Sequence, residues 1–102
     1  ITLHHFPGHA RGLMAVRVNT KRGWIILASD TAHYYESLTK EHVFMTHENI
    51  FEMLESYRSL VKLGGDITHI IPGHDPDVLV RYPSLSEDLT GVVAVLHEKP
   101  FY

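Results

Sequence analysis

Cysteine is absent from the 102 residues, which excludes disulfides and thiolate metal sites and leads us to expect a reducing, cytoplasmic setting. Basic runs are absent too, and the formal net charge is −3. That balance argues against nucleic acid or an anionic membrane as the main partner. No apolar stretch is long enough to span a bilayer, and no signal-peptide pattern is present. Repeats, low-complexity tracts and internal linkers are also missing, so the 44% hydrophobic content suits a single unit over residues 1–102. The first residue is Ile1 rather than Met and lies in an apparent strand, so the chain is read as starting mid-fold, a processed or truncated piece. What is plentiful is histidine, with nine residues. Imidazole is the commonest metal ligand and an acid–base group near neutral pH, so the excess suggests a metal or proton-transfer site. The plainer reading, surface or structural histidines, is adopted for His4, His5, His42, His47, His69 and His97.

Trp24-Ile25-Ile26-Leu27-Ala28-Ser29-Asp30 organises the rest. A continuous apolar run after a Lys-Arg-Gly turn predicts a strand buried on both faces, which delivers Asp30 to a sheet edge. Before it, Ile1–Phe6 and Leu13–Val18 predict two strands, and short loops make the three an antiparallel meander. After it, Tyr34–Leu38 suggests a helical turn, and residues 39–46 a loop or short helix. Asn49 followed by Glu52 resembles a capping box. Apolar residues at Ile50, Met53, Leu54, Tyr57, Leu60 and Val61 then predict a helix with one buried face, stopped at Gly64-Gly65. Ile67–Ile71 predicts a strand, Pro76–Tyr82 a turn and extended stretch, and Val92–Leu96 a last strand. One face of the sheet takes the helix, and no cover for the other is found within these residues.

Three strand ends carry the chemistry. Pro7-Gly8-His9 and Pro72-Gly73-His74 each place an imidazole after a tight turn, with proline fixing one dihedral and glycine permitting the reversal. Asp30 leaves a third strand at what is expected to be the same edge. The competing reading of Asp30 is a side-chain cap on the following turn or helix. Two neutral imidazoles and a carboxylate suit Zn²⁺, Fe²⁺ or Mn²⁺, and a carboxylate has two oxygens with which to bridge two ions.

Phe6-Pro7-Gly8-His9-Ala10-Arg11-Gly12, Leu27-Ala28-Ser29-Asp30 and Ile71-Pro72-Gly73-His74-Asp75 resemble, in order and spacing, the later metal motifs of the metallo-β-lactamase superfamily. The segments Asp30–Leu38 and Pro72–Pro83 are most similar to the N-acyl homoserine lactonase family. The resemblance implies an α/β (α+β) fold: the C-terminal half of an αββα sandwich, an antiparallel meander followed by β-α-β. It implies two divalent metal ions, zinc first with iron or manganese as alternatives. His9 would serve one ion and His74 the other, and Asp30 would bridge them. It further implies a hydrolase of lactone or ester bonds acting through a metal-activated bridging hydroxide on a small-molecule substrate. The superfamily's His-x-His-x-Asp-His motif does not occur here and is expected in an N-terminal half outside these residues. Lactonases of this family often carry a substrate-contacting Tyr three positions after the bridging Asp. That position is His33, expected to donate a hydrogen bond to the developing oxyanion, or else to be a solvent-facing turn residue. Two alternatives are another hydrolase branch, a glyoxalase-II-like thioesterase or a phosphodiesterase, and a non-catalytic half-fold remnant that self-associates. The fragment alone is expected to be inactive and to pair with the N-terminal half or with a second copy.

Overall fold

The computed structural model describes residues 1–102. Four strands, β1 (Thr2–His5), β2 (Met14–Thr20), β3 (Gly23–Ser29) and β4 (Ile70–Pro72), form one mixed sheet in the order β1-β2-β3-β4. The first three pair antiparallel, and β4 joins β3 in parallel. A parallel neighbour requires a crossover. Helices α1 (Tyr35–Lys40) and α2 (Ile50–Gly64) supply it, completing the expected meander and β-α-β.

Helix α2 starts where expected: the Asn49 side-chain oxygen accepts from Glu52 N–H at 3.0 Å. It ends as Gly65 adopts φ +73° and donates its N–H to Val61 O. Met53, Tyr57 and Leu60 recur at four and three positions and are buried. They pack with Ala15, Ile26, Ala28 and Ile70 of the sheet. Each such burial contributes about 1.5–3 kcal/mol. Ile50 and Val61, at the margins of the expected stripe, are exposed. Gly64 lets helix and sheet approach closely, since a Cβ there would lie 2.7 Å from Ile70 Cγ1.

Ile25 and Ile26 are 4% and 0% exposed. Adjacent strand residues point to opposite faces, so the middle of β3 is covered on both, as its apolar run predicts. The second face has a cover that the sequence did not reveal. Segment 93–97 lies beside Val18, Ile25 and Leu27 and leaves an apolar cleft of about 400 Å³. Val92–Leu96 is therefore not a strand: Val92 N–H and Val93 N–H close a turn on Leu89 O, and Val95 N–H makes a single bond to Pro83 O. Its apolar residues lie against the sheet face instead of pairing with an edge. The Arg22 guanidinium holds it there, donating to Leu96 O (2.8 Å), Thr68 O (3.0 Å) and Tyr82 Oη (3.1 Å).

Two further expectations are corrected. Of the strand predicted at Ile67–Ile71, the first part is a 3₁₀ turn, Ile67–His69, because Asp66 accepts from both Thr68 N–H and Thr68 Oγ1 at 2.8 Å. The stretch predicted as turn and extended over Pro76–Tyr82 contains helix α3 (Asp77–Arg81). Pro76 has a helical φ of −61°, Asp75 accepts from Asp77 N–H at 2.9 Å, and Arg81 pairs with Asp77 one turn back.

Candidate metal and catalytic site

His9, Asp30, His33 and His74 meet at one end of the sheet. Gly8 has φ +138°, and a Cβ there would lie 2.5 Å from Met53 Cα, so the Pro7-Gly8-His9 turn can press on α2 only as glycine. Ser56 Oγ donates to Pro7 O at 2.6 Å and fixes the same turn. Ser29 takes φ +49°, the left-handed region, and turns Asp30 off the end of β3. Gly73 passes against that bend, since a Cβ on it would lie 2.6 Å from Ser29 O. Gly73 N–H and His74 N–H donate to Ala32 O (3.0 Å) and His33 O (2.9 Å), so the second Pro-Gly-His turn is zipped to the segment after Asp30. Asp75, beside His74, accepts from Tyr35 N–H at 2.9 Å and ties the start of α1 to the same place.

Asp30 lies at the centre. Its Oδ2 is 3.3 Å from His9 Nε2, and its Oδ1 accepts from His74 Nε2–H at 2.6 Å. Its Oδ1 is also 3.9 Å from His33 Nε2. Ligand-capable atoms of His9, Asp30 and His33 all lie within 4.8 Å of one another. The reading of Asp30 as a helix cap fails, because no cap bond to the following helix is made and its oxygens face the imidazoles.

The second ring nitrogens distinguish the histidines. His9 Nδ1–H donates to Thr46 O at 2.7 Å, which leaves the Nε2 lone pair facing Asp30. A ligating imidazole usually has that arrangement, its other N–H held by a carbonyl or carboxylate. His33 is buried at 3% exposure, and its Nδ1 has no hydrogen-bond partner. With no acceptor at Nδ1 and a carboxylate on the other side, its proton belongs on Nε2. Burial lowers the His33 pKa below the ordinary imidazole value; Asp30 opposes the shift, while His9 and His74 reinforce it. The ring is thus neutral at pH 7, and the alternative of a solvent-facing turn residue is overturned. Four rings border it: Phe44 at 4.1 Å and His74 at 5.2 Å, both near-parallel, His9 at 5.2 Å, edge-on, and Tyr34 at 6.5 Å, tilted.

Phe44 and Thr46 contact this cluster and were not singled out in the sequence, and Asp75, quoted there within the second Pro-Gly-His motif, was given no role. A short apolar triplet, Val43-Phe44-Met45, in the stretch between two helices was the available signal for Phe44. Thr46 contributes a backbone carbonyl, which no side-chain pattern encodes. A concavity of about 660 Å³ at the β2–β3 turn is lined by Asn19, Thr20, Lys21, His97 and Glu98 and lies apart from these residues.

No protein-family model and no curated protein matches the chain. Solved structures do. One is an N-acyl homoserine lactone hydrolase with the product N-hexanoyl-L-homoserine bound at its catalytic metal centre, similar at TM-score 0.63 and 25% identity over 72% of this chain and 30% of that one. A quorum-quenching N-acyl homoserine lactone hydrolase matches at the same TM-score and identity, over 72% of this chain and 31% of that one. A variant of AiiA from B. thuringiensis with N-decanoyl-L-homoserine at its active site also matches at TM-score 0.63 and 25% identity, over 72% and 30%. The chain therefore spans under a third of the length of these enzymes. Within that span it has a mixed α+β, metallo-β-lactamase-like fold and resembles the N-acyl homoserine lactonases.

Proposed function

We propose that this chain is the later portion of a metal-dependent hydrolase of lactone or ester bonds, with further ligands contributed from outside residues 1–102. The observation that carries the reading is the convergence of His9, Asp30 and His74 from three separate strand ends, on a fold similar to lactone hydrolases. The donor set fits divalent metal. His9 presents a lone pair at Nε2, Asp30 directs one oxygen to His9 and the other to His74, and His74 would ligate through Nε2 with its proton carried on Nδ1 instead. Bound there, divalent ions would supply Lewis acidity, bringing the pKa of water to about 7 and polarising an ester or lactone carbonyl.

His33 is assigned a separate part. Its neutral ring holds a proton on Nε2 beside Asp30, and this N–H is the donor for the oxyanion that develops as the carbonyl is attacked. The packed rings around it keep water off the donor, which strengthens the bond it makes.

The test is hydrolysis of N-hexanoyl-L-homoserine lactone by the intact protein containing this chain, with metal content measured in parallel. Asp30→Asn is expected to lose bound metal and hydrolysis together. Full activity after chelation, with metal loss verified, would overturn the reading.

A further inference from the structure

We infer that residues 43–48, between α1 and α2, form a positioning strap over the candidate site, in which Phe44 holds His33 in the one ring orientation that aims Nε2 at Asp30. The inference rests on the assignment of His33 as a donor. The segment contains no helix or strand, so its course is set by the contacts it makes, and those contacts are concentrated on the site.

Three of them come within five residues. The Phe44 ring lies 4.1 Å from the His33 ring at 20°. Thr46 O accepts the Nδ1–H of His9 at 2.7 Å. Glu48 N–H donates to Gly8 O and His9 O at 2.9 and 3.1 Å, while its carboxylate takes Arg11 N–H and pairs with Arg11 Nε at 2.8 Å. The strap is therefore tied down at the His9 turn and turns one aromatic ring inward. Phe44 O also accepts from His47 Nδ1 at 2.8 Å, which fixes the backbone that carries the ring. Next to it Met45 is 92% exposed, so the backbone runs at the surface and Phe44 is half-buried by choice of side chain.

His33 needs such a partner. A catalytic imidazole is commonly oriented by a hydrogen bond at its second nitrogen, and His9 has one. His33 Nδ1 has none, and the 3.9 Å from Nε2 to Asp30 Oδ1 is too long for a hydrogen bond. Flat packing is left to set its orientation, and Phe44 is the nearest ring. Rotation about χ2 out of the plane that Phe44 stacks on would carry Nε2 away from Asp30 and remove the N–H from the reacting side. Phe44 is thus a positioning residue: it touches His33 and acts through it.

The experiment is nitrogen NMR of the histidine rings in metal-free, ¹⁵N-histidine-labelled protein near pH 8, above the ordinary imidazole range of about 6.5. In the unsubstituted protein His33 is expected as a single Nε2–H tautomer and His9 as a single Nδ1–H tautomer. Phe44→Leu keeps apolar volume but lacks the flat ring, and should give His33 averaged tautomer signals with His9 unchanged. Phe44→Tyr should restore the single tautomer. Turnover of the metal-loaded protein should follow, with kcat about tenfold lower in Phe44→Leu and KM within about twofold, as expected for a misplaced donor. His33 signals in Phe44→Leu that superimpose on the unsubstituted protein would overturn the inference. So would equal disturbance of His9 and His33, or no rescue by Phe44→Tyr. Lack of lactone hydrolysis with the ring signals as expected would instead count against the hydrolase reading.

Discussion

One hydrogen bond separates two imidazoles that face the same carboxylate, Asp30. His9 donates Nδ1–H to Thr46 O and keeps a lone pair for a cation, whereas buried His33 has no acceptor at Nδ1 and keeps its proton on Nε2. The two assignments predict different losses. His33→Ala in the intact protein is expected to lower kcat/KM roughly 10²-fold, the usual order for removing one oxyanion donor, with bound metal per chain unchanged. Kinetics and elemental analysis on the same preparation check this. Metal lost in step with activity would make His33 a ligand, and an unchanged kcat/KM would leave it without a role.

Turns, at the scale of elements, hold the strand ends together. Gly8→Ala would force a residue with a Cβ to φ +138° and drive that Cβ into the α2 backbone at Met53. Overpacking and backbone strain each cost about 1–3 kcal/mol, so the expected fall in Tm is ten degrees or more, at about 4–8 °C per kcal/mol for this chain length. Calorimetry of the variant checks it. The same turn carries His9, so metal affinity should fall as well. The end of α3 shows a pH dependence. The Arg81 guanidinium, joined by the Tyr102 hydroxyl, holds the Asp77 carboxyl below the usual carboxylate range. A carboxyl depressed on folding stabilises the fold above its unfolded pKa of about 3.9 and ceases to do so as pH falls through the folded value. The C-terminal contact of Tyr102 with Asp77 should therefore loosen below about pH 4. Tyr102 ring resonances followed through an acid titration, with Asp77→Asn as the variant lacking the transition, test this.

For the molecule as a whole, the uneven cover of the sheet matters most. Helix α2 closes one face, while segment 93–97 covers the other loosely and leaves an apolar cleft of about 400 Å³. Ile1, Leu3 and Phe51 are 85%, 63% and 81% exposed. Apolar surface marks an interface where it is contiguous over several hundred Å², and the proposal that further residues cover this sheet is tested on the polypeptide alone. The 102-residue polypeptide is expected to sediment above monomer mass at micromolar concentration or to bind a dye that reports apolar surface. It is also expected to hydrolyse no lactone, since His9, Asp30 and His74 leave ions short of protein ligands. A compact, dye-free monomer, or hydrolysis by this polypeptide, would refute the proposed need for additional residues. No helix is long and apolar enough to cross a membrane.

What was legible in the residues alone was whatever depends on local rules. The apolar run before Asp30, the Asn49 cap and the stripe at Met53, Tyr57 and Leu60 follow from periodicity and side-chain chemistry within a few positions. The two Pro-Gly-His turns could be read for the same reason. Val92–Leu96 could not, because β-branched residues serve equally as a strand or as an apolar strip laid on a sheet, and only the neighbours choose between them. His33 was ambiguous on similar grounds: its burial comes from Phe44, eleven positions away, and from His74, forty-one positions away. Its protonation depends on an acceptor missing at Nδ1, a property of the folded surroundings. Short-range preference thus placed the strand ends, and long-range contact determined which nitrogen faces Asp30.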